Sequence, residues 1–298
     1  MKTFDIKNIL IPLDFSETSL LALDHAVFMA RLYKADITLL HVVETFMFTS
    51  AITFNDTGND LTSIVHEKAQ EKLNNIANEI YDKCGVKVNT RLETGRIYKS
   101  IIEVANSSKA DVIIMGTHGV SGFREFVIGS NSFRVVTEAP CPVISVQTNS
   151  KKIGFTSIIL PIDNSLASRQ KVSYAADMAL KYNCHIHIVG LINEKDDEFI
   201  RVLKLKISQV ETYLKHHNVL FDTKFVNGDN LGDMTLKSAI ELKGDIIVMM
   251  TDQEPDYEFR GILMGSYSQT IVNHSKIPVM SINPILNIPE VNIVQYGF

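Results

Sequence analysis

Short apolar runs alternate with longer amphipathic stretches along the chain. In the first half NILIPL, DITLLHVV, VKVNTRLE, DVIIMG and PVISV are brief and rich in β-branched residues, the pattern of strands. Between them SLLALDHAVFMARLY and residues 64–83 carry apolar side chains at helical spacing, and 96–108 does so less regularly. Strands that are nearly continuous in apolar residues are buried on both faces, and strand-helix alternation supplies the cover. The pattern predicts a doubly wound, parallel-sheet α/β fold (Rossmann-like).

The pattern is written twice. NILIPLDFS at 8–16 matches SIILPIDNS at 157–165, an offset of 149 (157 − 8), so that Pro12, Asp14 and Ser16 recur as Pro161, Asp163 and Ser165. Ala26, Met29, Ala30 and Tyr33 recur at the same offset as Ala175, Met178, Ala179 and Tyr182. Further on, ADVIIMGT at 110–117 meets GDIIVMMT at 244–251, GSNS at 129–132 meets GSYS at 265–268, and PCPVISV at 140–146 meets KIPVMSI at 276–282. A repeat of this length fixes the architecture as two tandem domains of one fold, 1–149 and 150–298, with the junction near the polar segment 147–155.

Composition narrows the function. Hydrophobic residues make up 45% of the 298 and charged residues 21%, the balance of a chain that buries a core and not of a disordered one. With 29 basic against 34 acidic residues, a formal charge of −5 and no Lys/Arg cluster, the electrostatic footprint of a nucleic-acid binder is missing. Cys84, Cys141 and Cys184 are scattered, without a C-x-x-C pair, so neither a disulfide framework nor a zinc knuckle is indicated. Asp5 and Lys7 interrupt any signal-peptide core, and no window is apolar for the length of a membrane span. A cytoplasmic protein is expected, without membrane or nucleic-acid partners.

The candidate chemistry follows the run DVIIM. GTHG comes first, then VSGFREFVI, then GSNS opening the helix-like FRVVTEA, which spaces the glycines as Gly116-x2-Gly119-x9-Gly129-Ser130. A glycine at a strand end lets backbone approach a ligand, and Gly-Ser at a helix N-terminus offers free N–H groups and a hydroxyl to an anion, with the helix dipole in favour of phosphate.

This spacing, with Asp14 after the first strand and a Pro-Cys-Pro-Val strand after the motif, resembles the universal stress protein family, and the resemblance covers both halves. In that family the pattern marks members that bind ATP. The resemblance implies an adenine-nucleotide site, for ATP or for ADP or AMP, with Mg²⁺ as a candidate companion ion. Pro12, Leu13 and Asp14 would face adenine and ribose, and Val42 would offer backbone hydrogen bonds to the base. Met115, Gly116, His118, Gly119, Gly129, Ser130, Asn131 and Ser132 would surround ribose and phosphates, and Arg124 would reach the γ-phosphate. Each has a plainer reading: Asp14 as a helix cap, Gly116 and Gly119 as turn glycines, His118 as a solvated loop residue.

The second copy departs from the motif. Met250 stands opposite Gly116 and Gln253 opposite Gly119, while the connecting segment 251–260 carries Asp252, Glu254, Asp256 and Glu258 against Arg260. A methionine side chain would crowd the pocket and four carboxylates would repel a polyphosphate. Gly265, Ser266 and Ser268 remain, as any helix N-terminus would want them. One nucleotide site per chain is expected, with the second half as scaffold or interaction surface.

Other signals lead nowhere from sequence alone. His185-x-His187 puts two rings on one face of a strand but shows no third ligand, so no metal site is expected. There is no nucleophile elbow, and no P-loop Gly-Lys-Ser/Thr to drive hydrolysis, so at most slow ATP turnover is anticipated. The tail 283–298 is apolar enough to want cover, either across the pseudo-dimer or from a partner chain. By resemblance, domains of this kind dimerise through their last strands, which here leaves a monomeric pseudo-dimer or a homodimer open, with an unknown protein partner. The leading reading is an ATP-binding sensor or regulator of a stress response; the alternative is a nucleotide-free interaction protein with vestigial pockets.

Overall fold

A computed structural model describes residues 4–44, 58–117, 129–251, 253–256 and 261–285, with the backbone alone for 58–62, 253–256 and 261–264. The described residues fall into two compact units. One runs from Ile6 to Thr117 and from Gly129 to Thr148; the other runs from Asn149 onward and includes Phe4 and Asp5.

In the first unit β1 (Asn8–Pro12), α1 (Glu17–Tyr33), β2 (Asp36–Glu44), α2 (Gly58–Cys84), β3 (Val88–Gly95), α3 (Ile97–Ser107), β4 (Val112–Gly116), α4 (Ser130–Glu138) and β5 (Val143–Val146) alternate as the pattern predicts. The strand order is β3-β2-β1-β4-β5, and every pairing is parallel. The second unit repeats it with β6 (Ser157–Ile162), α5 (Val172–Tyr182), β7 (His185–Ile192), α6 (Asp197–His216), β8 (Phe221–Asn227), α7 (Leu231–Glu241) and β9 (Ile246–Met250). A hairpin of β10 (Gln253–Asp256) and β11 (Gly261–Met264) then precedes α8 (Ser266–His274) and β12 (Val279–Ile282). Its parallel order is β12-β9-β6-β7-β8.

Burial explains why the strands read as they do. Ile9, Leu10, Ile11, Val112, Ile113 and Ile114 are all but inaccessible, as are Ile158, Ile159, Leu160, Ile246, Ile247 and Val248 in the second unit. Central strands sandwiched between helix layers have no polar face. β3 and β8 lie at the edge and alternate between half-buried and exposed, which is why VNTRLETG and FDTKFVN are mixed in polarity.

Both units also fix the start of their first strand in the same way. Asp111, just before β4, accepts the Lys7 and Asn8 N–H groups at 2.8 and 2.9 Å. Its counterpart Asp245 accepts the Thr156 N–H at 2.8 Å and its hydroxyl at 2.7 Å, and holds Lys152 Nζ at 2.7 Å. The carboxylate thereby clips the strand's otherwise unpaired amides and sets its register against the neighbour.

Partial burial works to raise the Asp245 pKa, but the hydrogen bonds from Lys152 and Thr156 outweigh it and hold the carboxyl below its ordinary range. A depressed carboxylate contributes stability above the unfolded value, and that stability is lost as pH falls through the folded value. Asp245→Asn is therefore expected to lower stability at neutral pH by about 1–3 kcal/mol, and the gap from wild type should close in acid below the carboxylate range. Thermal unfolding from pH 7 down to about pH 2 measures both.

Candidate functional site

The strand order of the first unit reverses between β1 and β4, and in open α/β sheets ligand crevices form beyond the carboxyl ends of the strands at such a point. β1 ends there at Pro12 and β4 at Gly116. The segment after β1 is tightly held. Leu13 donates its N–H to the Leu40 carbonyl at 2.8 Å, its own carbonyl accepts from His41 Nδ1 at 2.7 Å, and its side chain lies in the core. Leu13 thus faces inward, with its backbone engaged in the sheet.

Asp14 is not the cap of α1. Ser16 is, its Oγ accepting the Ser19 N–H at 3.3 Å, while the Asp14 carboxylate accepts the Ser16 N–H at 3.0 Å and the Ser16 hydroxyl at 2.6 Å and so braces the cap. Between them Phe15 has φ 64°, a left-handed backbone that is unusual for an aromatic residue. Its ring packs on His41 at 4.8 Å, and Lys72 Nζ stands 4.7 Å from the ring centre. Phe15, His41 and Lys72 carry no sequence signal of their own. They meet only because the chain turns left-handed at residue 15.

Along β2, Asp36 gives its N–H to Lys7 on the β1 side and Ile37 gives its N–H to Lys87 on the β3 side. By that alternation the Val42 amide and carbonyl are directed toward β1, whose last pair with β2 is Pro12 with Leu40. Val42 therefore points its peptide groups past the end of β1, into the crevice.

On the β4 side Met115 is buried and Gly116 half-buried. The Gly116 carbonyl accepts the Ser132 hydroxyl at 3.2 Å, and the Thr117 carbonyl accepts the Gly129 N–H at 3.0 Å. The two ends of the motif are thus brought together at the mouth. His118, Gly119 and Arg124 lie outside the described residues. Gly129 is the N-cap of α4 and makes no side-chain cap bond; Ser130 is exposed, Asn131 half-buried and Ser132 buried in a first turn without acidic residues. Such a terminus presents its amides to an anion.

The two glycines differ in what requires them. A Cβ at Gly116 would stand 3.0 Å from the Thr18 backbone and 3.1 Å from the Ser19 nitrogen, so any side chain there presses on α1, whose backbone must give by a few tenths of an ångström. Among the described residues a Cβ at Gly129 would meet the Thr117 carbonyl at 3.5 Å and Ser132 Oγ at 3.9 Å, which are ordinary contacts. Packing among the described residues favours glycine at the first position more than at the second.

The profile of the Universal stress protein family matches residues 5–147 and again 154–283. The chain belongs to the universal stress protein family. It is 32% identical over 146 residues to a universal stress protein of Methanocaldococcus jannaschii, covering 49% of this chain and 85% of that one. A putative universal stress protein of Staphylococcus aureus is 35% identical over 152 residues, covering 50% and 89%. The crystal structure of a universal stress protein from Archaeoglobus fulgidus superposes with a TM-score of 0.72 at 19% identity over 95% of this chain and 99% of that one, which shows the tandem fold. Family membership makes this a stress-response protein. Among the described residues no helix is long and apolar enough to cross a membrane.

The second universal stress protein domain has rebuilt its mouth. Where β4 ends in Gly116, β9 ends in the buried Met250. Glu17, the first residue of α1, aligns with Leu166, yet α5 begins at Val172, six residues later (172 − 166). The missing turn is the one that a side chain at the glycine position would strike. In its place the segment after β6 is wired to itself: Asp163 accepts the Ser165 N–H at 2.7 Å, as Asp14 does for Ser16, and the Asp163 N–H goes to Ser168 Oγ at 3.0 Å. Lys171 Nζ is fully buried and donates to the Ser168 carbonyl at 2.5 Å, and Lys206 Nζ donates to the Asn164 carbonyl at 2.6 Å. The acidic segment expected as a plain loop is in part a β-hairpin, Gln253 pairing with Met264 and Asp256 with Gly261. Asp252 and Glu258 lie outside the described residues.

Cysteine chemistry is not built in. Burial pushes the Cys141 and Cys184 thiols up to about 12, with the Asp111 and Asp245 carboxylates respectively adding to the effect. Neither is a thiolate nucleophile at neutral pH.

Two outcomes follow. Gly116→Met copies the second domain's residue into a place closed by α1 and should cost about 1–3 kcal/mol by overpacking; an unchanged melting curve would mean that α1 does not approach so closely. Burial lowers the Lys171 amine to about 8, against the pull of Asp163. Between that value and the ordinary 10.5 the unfolded chain holds a proton that the folded chain has released, so stability rises with pH across this window. Lys171→Met should abolish the rise, as chemical denaturation at pH 7 and 10 would reveal.

Proposed function

We propose that this chain is a cytoplasmic stress-response sensor or regulator that binds one adenine nucleotide, ATP by preference, in the crevice of its first domain. The observation that carries the reading is Gly129, which makes no close packing contact among the described residues, at the head of a helix whose first turn has no side-chain cap. Phosphate oxygens suit that turn, because its amides donate and its dipole attracts negative charge. Ser130 and Asn131 would add side-chain donors to the phosphates, Val42 would present its peptide groups to the base, and Lys72 adds a cation beside the strained turn at Phe15. Gly116-x2-Gly119-x9-Gly129-Ser supports the choice of nucleotide, since the family pattern marks ATP binders.

The role assigned is binding, not turnover. The second domain serves as scaffold, because its Met250 and its self-bonded segment 163–171 occupy the corresponding mouth. A nucleotide that binds the folded state raises its stability by mass action, about 2.7 kcal/mol at a hundredfold excess over Kd.

Calorimetric titration should give one ATP per chain, and two would overturn the single site and the scaffold role of the second domain. Gly129→Val should weaken ATP at least about tenfold, since each 1.4 kcal/mol is a decade, while leaving the nucleotide-free melting temperature within a degree or two of wild type. No thermal shift with ATP, ADP or AMP would favour a nucleotide-free interaction protein.

A further inference from the structure

We propose that His185, His187 and Asp222 form a binding site for a divalent transition ion, zinc being the best match, at the amino ends of β7 and β8. The sequence offers only His-x-His; the third ligand comes from the neighbouring strand. The parallel register sets His187 opposite Asp222, and the two-residue period of β7 puts His185 on the same face. One carboxylate oxygen, Asp222 Oδ2, is 2.8 Å from His185 Nε2 and 2.8 Å from His187 Nδ1. The three ligand atoms all lie within 4.8 Å of one another.

Two imidazole nitrogens and one carboxylate oxygen form the donor set of three-ligand zinc sites, which leave a fourth position to water. Zinc bonds of about 2.0–2.2 Å in a tetrahedron separate ligand atoms by roughly 3.3 Å. From the present spacing the two nitrogen–oxygen distances open by about 0.5 Å, and the imidazole nitrogens, within 4.8 Å of each other, close by up to about 1.5 Å, a movement within reach of side-chain rotation. To take up the ion each imidazole turns a ring-nitrogen lone pair to the metal, any proton at that nitrogen passing to the other ring nitrogen or to solvent, and the carboxylate exchanges two contacts for one metal bond. Side-chain exposures of 37%, 16% and 51% leave the cluster open to solvent. Lys224, two residues from Asp222 on the same face, is held by Glu241 Oε2 at 2.5 Å, so its charge is already neutralised. The cluster is at the opposite end of its strands from the crevice side of the domain, and its ligands tie edge strand β8 to β7.

The test uses the untagged, full-length chain freed of metal with a chelator. Titration with ZnCl₂ should show one saturable equivalent and a rise in melting temperature, and Co²⁺ should give the intense visible absorption of a four-coordinate ion without a thiolate charge-transfer band. His185→Gln and Asp222→Ala should each weaken zinc at least about tenfold, as loss of a metal-site group does, with the metal-free melting curve retained for the half-exposed His185. Absence of a saturable equivalent, a six-coordinate or thiolate cobalt spectrum, or affinity unchanged in both variants would overturn the proposal. Should Asp222→Ala fail to fold, His185→Gln and the cobalt spectrum of the wild type still decide it.

Discussion

The approach of α1 to the end of β4 sets the shape of the first domain's mouth. At Gly116 the backbone of Thr18 and Ser19 comes so near that a side chain would have to push the helix back. To reach that position the chain must leave β1 and enter a helix within four residues, and the local devices all serve this. The Phe15 backbone turns left-handed, Ser16 caps the helix, and Asp14 braces the cap. The close approach lets α1 shield β4 up to its last residue, and the crevice opens beyond it, between Val42 and the head of α4. A glycine read from sequence as making way for a ligand makes way first for a helix.

Comparing the two domains separates what the fold requires from what it does not. The carboxylate clip recurs as Asp111 and Asp245. The Asx turn recurs as Asp14 and Asp163. Thr117 and Thr251 both give N–H and hydroxyl to the carbonyl that ends the last strand, Val146 or Ile282. Lys34 and Asn183, at φ 58° and 57°, close the first helix of each domain in the left-handed conformation. These duplicated devices hold strands and turns together. At the mouth the domains differ in Gly116 against Met250 and in an early against a late helix start. At the opposite end they differ again, His185 and His187 standing where the first domain has Asp36 and Thr38.

The strands, the repeat and the strand-end motif were legible because burial on both faces leaves continuous apolar runs and because duplication repeats them in register. What escaped the sequence depends on contacts distant along the chain or on backbone angles. Asp111 meets Lys7 across 104 positions and His187 meets Asp222 across 35, and no local spacing announces either. The left-handed turn at Phe15 breaks propensity, so the grouping of Phe15, His41 and Lys72 was invisible. The hairpin Gln253–Met264 contains Pro255 and a run of acids, which argue for a loop. The plainer reading of Asp14 as a cap was open because Asp and Ser are equally good at capping, and only the hydrogen bonds distinguish the cap from its brace.

The late start of α5 has a cost that its surroundings reveal. Six residues released from a helix leave carbonyls without their i+4 amides, and buried carbonyls need donors. Lys171 supplies one, reaching the Ser168 carbonyl, and Lys206 holds the carbonyls of Asn164 and Ser165 just ahead of the released stretch. Lys171 aligns with Ala22 of the first domain, a position wholly inside the core, and its ammonium is buried deeply enough to lower the amine to about 8. The unwound turn, its lysine donors and Met250 are therefore a single coupled arrangement. Replacing Met250 by glycine would leave the lysines holding the turn open, and replacing Lys171 would leave a methionine where the rewound helix must pass. Neither change alone recreates the crevice of the first domain, so the asymmetry between the domains is built into their packing and does not hang on one residue.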